Sequence, residues 1–379
     1  MRRETTKLEP IDACVLLPLL TLPPFLFPLR MMKVKRVENT AWGTVDFIDP
    51  DANNDDSAVV FQTIPEVSRA QKKPRKNPAF PSAGHTGNFA SETPAKKLRL
   101  FPPTGFQEKN RVVLQLGTGD ATRALQSAMV AAKDVAAIDI NMGCPLKFST
   151  ASGAGSALLK KPETVHDILT TLRRNLPAET HVTCKIRLLE TMEKTVELAR
   201  VIEKCGVSAF GVHGRYVGQR PRDPAHWDQI KQVVESVSCP VIANGDVFEY
   251  TDFDKLRAET GAAAAMCGRG AMWNQSIFRK EGVIPARDNL NSLLEKCFEW
   301  NHSLKNTKYL TREILIKSTG LENEEGWALN KTKSLEDVAG VFNIQANIIG
   351  RKRVSNLKRP CEDPVENDEN IKVKALAEQ

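Results

Sequence analysis

Residues 138–145 read Ile-Asp-Ile-Asn-Met-Gly-Cys-Pro, and this stretch decides how the fold of the chain is interpreted. The apolar, β-branched run that leads into it predicts a buried β-strand. Gly143 and Pro145 then end the strand and place Cys144 in the following turn. Because barrels of parallel β/α units carry their chemistry just after the strand ends, Cys144 is a candidate catalytic residue. The alternative is a buried cysteine beside a turn, which is common for free cysteines.

The composition fits one large domain with a smaller second domain. The chain has 379 residues, of which 41% are hydrophobic, and its formal net charge is +7. This mild positive excess permits a polyanionic partner without requiring one. The eight cysteines are scattered singly without a CxxC pair, so the sequence predicts neither a metal site nor a disulfide framework.

The N-terminal region contains the apolar run Cys14–Leu29, which four prolines interrupt. Prolines break a spanning helix, and acidic residues precede the run, so we predict neither a membrane span nor a secretory signal. We therefore expect a cytoplasmic protein that has no membrane partner. The basic run Lys72–Lys76 is either a nuclear-import or RNA-contacting patch or an ordinary solvated charge run.

From Arg111 onward, apolar strands alternate with amphipathic helices. The predicted strands cover 112–117, 136–141, 182–187, 207–214, 240–245 and 262–270, and helices follow near 120–133, 162–174, 191–204, 225–237, 250–260 and 272–279. Near-continuous apolar strands indicate a parallel sheet that is covered on both faces. We predict an α/β fold of the TIM (β/α)8-barrel type followed by a small all-α helical domain. Barrel strands 1–2 are unaccounted for, and the irregular start of the chain is where they should lie.

The remaining boundaries follow from changes in composition and periodicity. We assign an irregular N-terminal part that contains a β-hairpin, a disordered basic insertion, the α/β barrel, a helical domain and a disordered tail. Their ranges are 1–70 with the hairpin at 44–65, then 71–109, 110–284, 285–349 and 350–379.

Eight short motifs occur in a specific order: QLGT at 115–118, NMGCP at 141–145, GAGSALL at 153–159, TCKIR at 183–187, VHGR at 212–215, VIANGD at 241–246, CGRGAMWN at 267–274 and NTKYL at 306–310. With these motifs the chain resembles the tRNA-dihydrouridine synthases, and among them the eukaryotic type that modifies position 20 of the D-loop. It departs from them at the N-terminus, where we find neither the Ala-Pro-Met-type first strand nor the acidic second strand. It also stops about where animal members begin a double-stranded-RNA-binding domain.

The resemblance implies an FMN-dependent enzyme that reduces uridine to 5,6-dihydrouridine in tRNA. Reduced FMN would give a hydride to C6, Cys144 would give a proton to C5, and NADPH or NADH would reduce the flavin. A thiol with a reference pKa near ~8.5 is mostly protonated at neutral pH, so it can donate without tuning. The implied partner is tRNA, and we expect a monomer without a metal ion.

The flavin residues are carried over by motif. A lysine between apolar neighbours in a buried strand is costly unless it meets an anion, which reduced flavin supplies. Two glycine-rich turns would hold the phosphate. The alternatives are a lysine paired with a structural carboxylate and a histidine that is hydrogen-bonded in the core. The cofactor-binding residues are predicted to be Gln115, Lys185, His213, Asn244, Gly245, Asp246, Gly268 and Arg269.

The tRNA contacts are predicted from basic residues on the barrel rim and in the helical domain. They would repay the cost of unstacking the target base, which is about a few kcal/mol. Each is equally well explained as a solvated charge; they are Lys147, Arg187, Lys305, Lys308 and Arg312. The resemblance further directs Arg215, in the VHGR motif, toward phosphate or RNA. Two other functions stay open, namely an FMN-barrel oxidoreductase for a small molecule such as dihydroorotate and an inactive RNA-binding remnant that lacks the first barrel strands.

Overall fold

The computed structural model describes residues 111–299 and 302–344, together with the backbone of three strands between residues 35 and 63. The predicted insertion at 71–109 and the predicted tail at 350–379 lie outside the described residues.

The three N-terminal strands form an antiparallel sheet of their own in the order β1-β2-β3. They are β1 Lys35–Asn39, β2 Thr44–Ile48 and β3 Val59–Thr63. The β2–β3 pair corresponds to the predicted hairpin, and β1 extends it by one strand that the sequence did not signal. The expectation that barrel strands 1–2 lie in this region is wrong for its described part, because these strands pair with one another and not with the parallel sheet.

Six parallel strands form the main sheet, and each pairs with the next one along the chain. They are β4 Val113–Leu116, β5 Ala137–Asn141, β6 His181–Leu188, β7 Ala209–Tyr216, β8 Val241–Asn244 and β9 Ala264–Met266. Sequential parallel pairing through crossover helices is the arrangement of an α/β barrel wall, so the predicted fold class is confirmed. Within the described residues, β4 and β9 each pair on one side only.

Helices follow each strand and cover the sheet. They are α1 Ala121–Ala131, α2 Lys147–Thr150, α3 Pro162–Asn175, α4 Met192–Lys204, α5 Trp227–Ser236, α6 Tyr250–Thr260 and α7 Arg269–Trp273, with 3₁₀ turns at Ala132–Asp134, Gly155–Lys160 and Gln275–Phe278. One boundary was wrong. The last strand, predicted at 262–270, ends at Met266, because Gly268 leaves the extended conformation and Arg269 already begins α7.

Local capping signals explain where several helices begin and end. The Asp120 side chain accepts a hydrogen bond from the Arg123 N–H at the start of α1. Glu249 and Asp252 form a capping box at the start of α6, and Gly261 ends that helix in the left-handed conformation at φ 71°. These caps set the lengths of the helices that carry the strand-end loops.

The last four helices build a second core. They are α8 Ala286–Glu299, α9 Leu304–Ser318, α10 Glu324–Lys331 and α11 Leu335–Val341. Their buried side chains include Leu290, Leu294, Ile314, Leu329, Val338 and Phe342. Among the described residues, none of the helices combines the length and the apolarity that a membrane crossing needs.

Candidate functional site

The loop after β5 holds Cys144 in place through backbone contacts. The Asn141 Oδ1 accepts hydrogen bonds from the N–H of Gly143, at 3.1 Å, and from that of Cys144, at 3.0 Å. The Cys144 carbonyl accepts from the Ser156 N–H at 2.8 Å, and Met142 N donates to the Lys185 carbonyl at 2.9 Å. Cys144 is 9% exposed, and it lies just after the carboxyl end of β5 in a loop that is tied to its neighbours.

Gln115 lies on β4, and both ends of its amide already have protein partners. Its Nε2 donates to Asp139 Oδ2 at 2.7 Å, and its Oε1 accepts from Asn141 Nδ2 at 2.7 Å. The neighbouring strand therefore supplies a partner for each end of this amide, and its predicted contact with the flavin stays a prediction. Sequence reasoning also missed Asp139, although a carboxylate in an otherwise apolar strand is a readable signal.

Lys185 lies on β6 and is half-buried. Within the part of the chain that the structure describes, its ammonium group makes no salt bridge. Burial lowers the pKa of Lys185 to about 8, with a further lowering by Arg187 and an opposing effect of Asp139. A half-buried cation without a paired carboxylate favours an anionic ligand nearby.

His213 lies on β7, with Arg187 and Asn244 as its register partners on the two adjacent strands. Its Nε2 lies 3.1 Å from Arg215 Nη1. Burial, followed by the charges of the surrounding lysine and arginines, lowers the pKa of His213 to about 2. The imidazole is therefore neutral at physiological pH.

Beyond His213, the strand-end loops of β7, β8 and β9 enclose a cavity of about 150 Å³. Four arginines are among its lining residues, which are Arg187, His213, Arg215, Arg220, Pro221, Asn244, Gly245, Asp246, Val247, Phe248, Gly268 and Arg269. The structure thus brings six of the eight predicted cofactor residues together around one cation-rich cavity. Gln115 and Lys185 lie outside this set, on β4 and β6.

Asp246 occupies the middle of the arginine cluster. One of its oxygens accepts from Arg215 and, at 3.1 Å, from Arg269 Nη2, and the other accepts from the Ala225 N–H at 2.7 Å. The Asp246 carboxylate thereby orients the guanidinium groups of both arginines. Its positive φ of 55° is unusual for a residue other than glycine.

Arg215 is 3% exposed and donates to the Asp223 carbonyl at 2.6 Å as well as to Asp246. It therefore lies inside the cavity wall, and its expected contact with phosphate or RNA stays a prediction. Arg187 donates to the Tyr216 carbonyl at 3.1 Å and is half-buried beside the Cys144 loop.

The remaining predicted tRNA residues lie on two helices, α2 and α9. Lys147 and Lys305 are exposed on α2 and α9. Lys308 Nζ donates to the carbonyls of Asn330 and Thr332 at 3.0 and 2.9 Å, and Arg312 donates to Asn330 Oδ1 at 2.7 Å. These two side chains stabilise the end of α10, a role that the sequence did not signal.

Arg269 also joins an aromatic cluster at the edge of the cavity. Its guanidinium lies 5.1 Å from the ring centre of Phe248 and 5.9 Å from that of Trp273. The two rings are stacked at 5.6 Å, and Lys317 of α9 lies 5.0 Å from the Trp273 ring. This cluster connects the cavity to the helical domain. Among the described residues, no group of His, Cys, Asp and Glu side chains is arranged to hold a metal ion.

The fold and the site define an α/β-barrel type of protein with a cysteine in the loop after β5 and an arginine-lined cavity at the carboxyl edge of its sheet. Residues 95–319 match the family model of the dihydrouridine synthases (Dus), which is more than half of the chain. The chain belongs to this family.

Individual relatives agree with the family match. The chain is 33% identical over 243 residues to a tRNA-dihydrouridine(20) synthase of Schizosaccharomyces pombe, whose name includes NAD(P)+. The match covers 63% of the chain and 50% of the relative. It is 35% identical over 168 residues to a tRNA-dihydrouridine(20a/20b) synthase-like protein of Mus musculus, covering 44% and 52%. It is 36% identical over 172 residues to a tRNA-dihydrouridine(16) synthase of Aquipseudomonas alcaligenes, covering 45% and 55%. The chain thus spans about half the length of these curated relatives.

Proposed function

We propose that the protein reduces uridine to 5,6-dihydrouridine in the D-loop of tRNA, with FMN as cofactor and NAD(P)H as the source of electrons. The observation that carries the proposal is the cation-rich cavity that His213 lines, together with Lys185 on the adjacent strand β6 and Cys144 in the loop after β5. The family match supplies the class of reaction, and the names of the relatives supply tRNA and NAD(P)+.

The residues present fit FMN in two respects. The cavity offers the Arg187 and Arg269 guanidiniums, which suit a phosphate dianion. Lys185 offers a half-buried ammonium without a salt bridge among the described residues, which suits the anionic pyrimidine part of reduced flavin. When bound, FMN supplies the hydride that C6 of the uracil ring accepts.

The chain's own residues handle the proton and the orientation. Hydride addition at C6 breaks the C5–C6 double bond and leaves charge on C5 and the adjacent carbonyl, so C5 must take a proton. We assign this proton to the Cys144 Sγ, because the Cys144 loop follows β5 at the carboxyl edge of the sheet. His213 is neutral and cannot supply this proton as an imidazolium.

The central experiment replaces Cys144 with alanine in the full chain and measures dihydrouridine in tRNA by mass spectrometry, with NADPH as reductant. We expect loss of tRNA reduction with retained flavin absorbance, because the thiol donates a proton and does not hold the cofactor. Cys239→Ala, at a half-buried cysteine before β8, is the control. Turnover by Cys144→Ala at the parental rate would contradict the assignment.

A second candidate, an RNA-binding protein without turnover, is favoured by one observation. Within the described residues the parallel sheet has six strands, with β4 and β9 paired on one side only. The two candidates differ in the colour of the purified protein. A folded chain that binds tRNA but neither carries nor takes up FMN would support the second candidate.

A further inference from the structure

A chain of hydrogen bonds runs from the Cys144 loop to Asp139 in the middle of strand β5. The N–H groups of Gly143 and Cys144 donate to Asn141 Oδ1, and Asn141 Nδ2 donates to Gln115 Oε1 at 2.7 Å. Gln115 Nε2 then donates to Asp139 Oδ2 at 2.7 Å. The other carboxylate oxygen, Oδ1, accepts from the Thr183 hydroxyl at 2.7 Å.

The direction of every bond in this chain follows from its first member. Backbone N–H groups only donate, so the oxygen of the Asn141 amide must face the loop and its NH₂ group must face Gln115. The Gln115 oxygen therefore faces Asn141, and its NH₂ group must find an acceptor on the far side. Asp139, at 2% exposure, is that acceptor, and water is excluded from the position. If one of the two amides were turned around, two donors or two acceptors would face each other at its contact with the next residue of the chain.

We propose that Asp139 is a positioning residue, which fixes the orientation of the Gln115 amide and, through Asn141, the conformation of the Cys144 loop. The proposal deepens the proposed function and rests on it only for the role of Gln115. In this fixed orientation, Gln115 keeps one N–H and one carbonyl lone pair free for a ligand. These two groups complement an imide edge, in which a ring N–H lies next to a carbonyl, as in flavin and uracil.

We call the hydrogen-bond chain from the Cys144 loop through Asn141 and Gln115 to Asp139 the relay. It requires an acceptor at position 139 and does not require a charge. In Asp139→Asn the amide oxygen can still face Gln115, while the new NH₂ group donates to the Thr183 hydroxyl, which can accept. Burial raises the pKa of Asp139. A proton on Oδ1 would leave Oδ2 as the acceptor for Gln115, and only the Thr183 hydroxyl would have to turn so that it accepts this proton. Asp139→Ala removes the acceptor and leaves a donor of Gln115 buried without a partner.

The test measures how fast iodoacetamide alkylates each cysteine of the full chain, by peptide mass spectrometry. We expect Asp139→Ala to speed alkylation of Cys144 about tenfold, the equivalent of one lost buried hydrogen bond, and to leave Cys297 of the helical domain unchanged. Asp139→Asn and Thr183→Val should stay within about threefold of the parent chain at Cys144, since both keep the relay. A purely structural role of Asp139 would instead raise the rates at Cys144 and Cys297 together.

Two results would overturn the proposal: an equal Cys144 rate in Asp139→Ala and Thr183→Val, or a parallel rise at Cys297. Should Asp139→Ala not fold, the isosteric pair Asp139→Asn and Asn141→Asp decides, because only Asn141→Asp removes a donor from the relay and should speed Cys144 alkylation. Titration with FMN separates the two proposals. A parent chain that does not bind FMN counts against the proposed function alone, while the alkylation rates still test the relay.

Discussion

Arg215 Nη1 lies 3.1 Å from His213 Nε2, and this contact fixes the tautomer of the histidine. A guanidinium only donates hydrogen bonds, so Nε2 must be the acceptor and carries no proton. Since the imidazole is neutral, its proton lies on Nδ1, which is left as a donor. The arginine thereby decides which hydrogen bond His213 can offer to a ligand.

The first prediction concerns this histidine and pH. The pKa of His213 falls from 6.5 to about 2 on folding, so between these values the unfolded chain binds the extra proton. The free energy of unfolding should therefore decrease as the pH falls below 6.5, by on the order of 1 kcal/mol per pH unit. Urea unfolding of the parent chain and of His213→Asn between pH ~5 and ~7 measures the difference. An equal slope in both chains would rule the histidine out as its source.

The second prediction concerns the lysine charge. The pKa of Lys185 falls from 10.5 to about 8, so the unfolded chain binds more protons between these values and stability should rise with pH in that window. Lys185→Met should stabilise the FMN-free chain at neutral pH by about 1–3 kcal/mol and abolish this rise. It should also weaken FMN binding about tenfold, because the ligand anion loses its cation. Destabilisation of the FMN-free chain by this substitution would show that the ammonium is paired.

The third prediction concerns the turn that supports Cys144. Gly155 has φ 59°, and an added Cβ would lie 2.6 Å from the Cys144 carbonyl oxygen. Gly155→Ala should therefore destabilise the protein by about 2–4 kcal/mol, from backbone strain and the collision together. The matched control is Gly153→Ala, where φ is 77° and nothing lies within 4 Å, so only the backbone strain of about 1 kcal/mol applies. Equal losses of stability in Gly155→Ala and Gly153→Ala, measured by thermal unfolding, would contradict the predicted collision.

The fourth prediction concerns the contact between the two cores. Lys317→Met should lower the free energy of unfolding by about 0.5–1 kcal/mol, because the Lys317 ammonium lies 5.0 Å from the centre of the Trp273 ring. In a Trp273→Ala background the same change should cost nothing more, and the double-mutant cycle isolates this coupling. The exposed Lys305 supplies the control substitution, Lys305→Met. A cycle that closes without coupling energy would show that the ring and the ammonium do not interact.

Much of the fold could be predicted from periodicity. The near-continuous apolar strands and the amphipathic helices identified all six β/α units of the described sheet, because burial on both faces leaves a direct mark on sequence. The end of β9 was misplaced, since residues 262–268 are small or apolar throughout and give no contrast at Met266. The antiparallel pairing of β1–β3 was only partly predicted, because short alternating strands resemble loops in polar surroundings.

The sequence by itself determined the β/α repeat, the position of Cys144 after a strand, and the residue types that gather at the strand ends. Only the tertiary structure decided which of these residues are partners: Asp139 with Gln115, Asp246 with two arginines, and Lys308 with the end of α10. The physical reason is that burial and periodicity are local properties of the chain. Pairing of polar groups depends on which strand ends become neighbours and which water molecules they exclude.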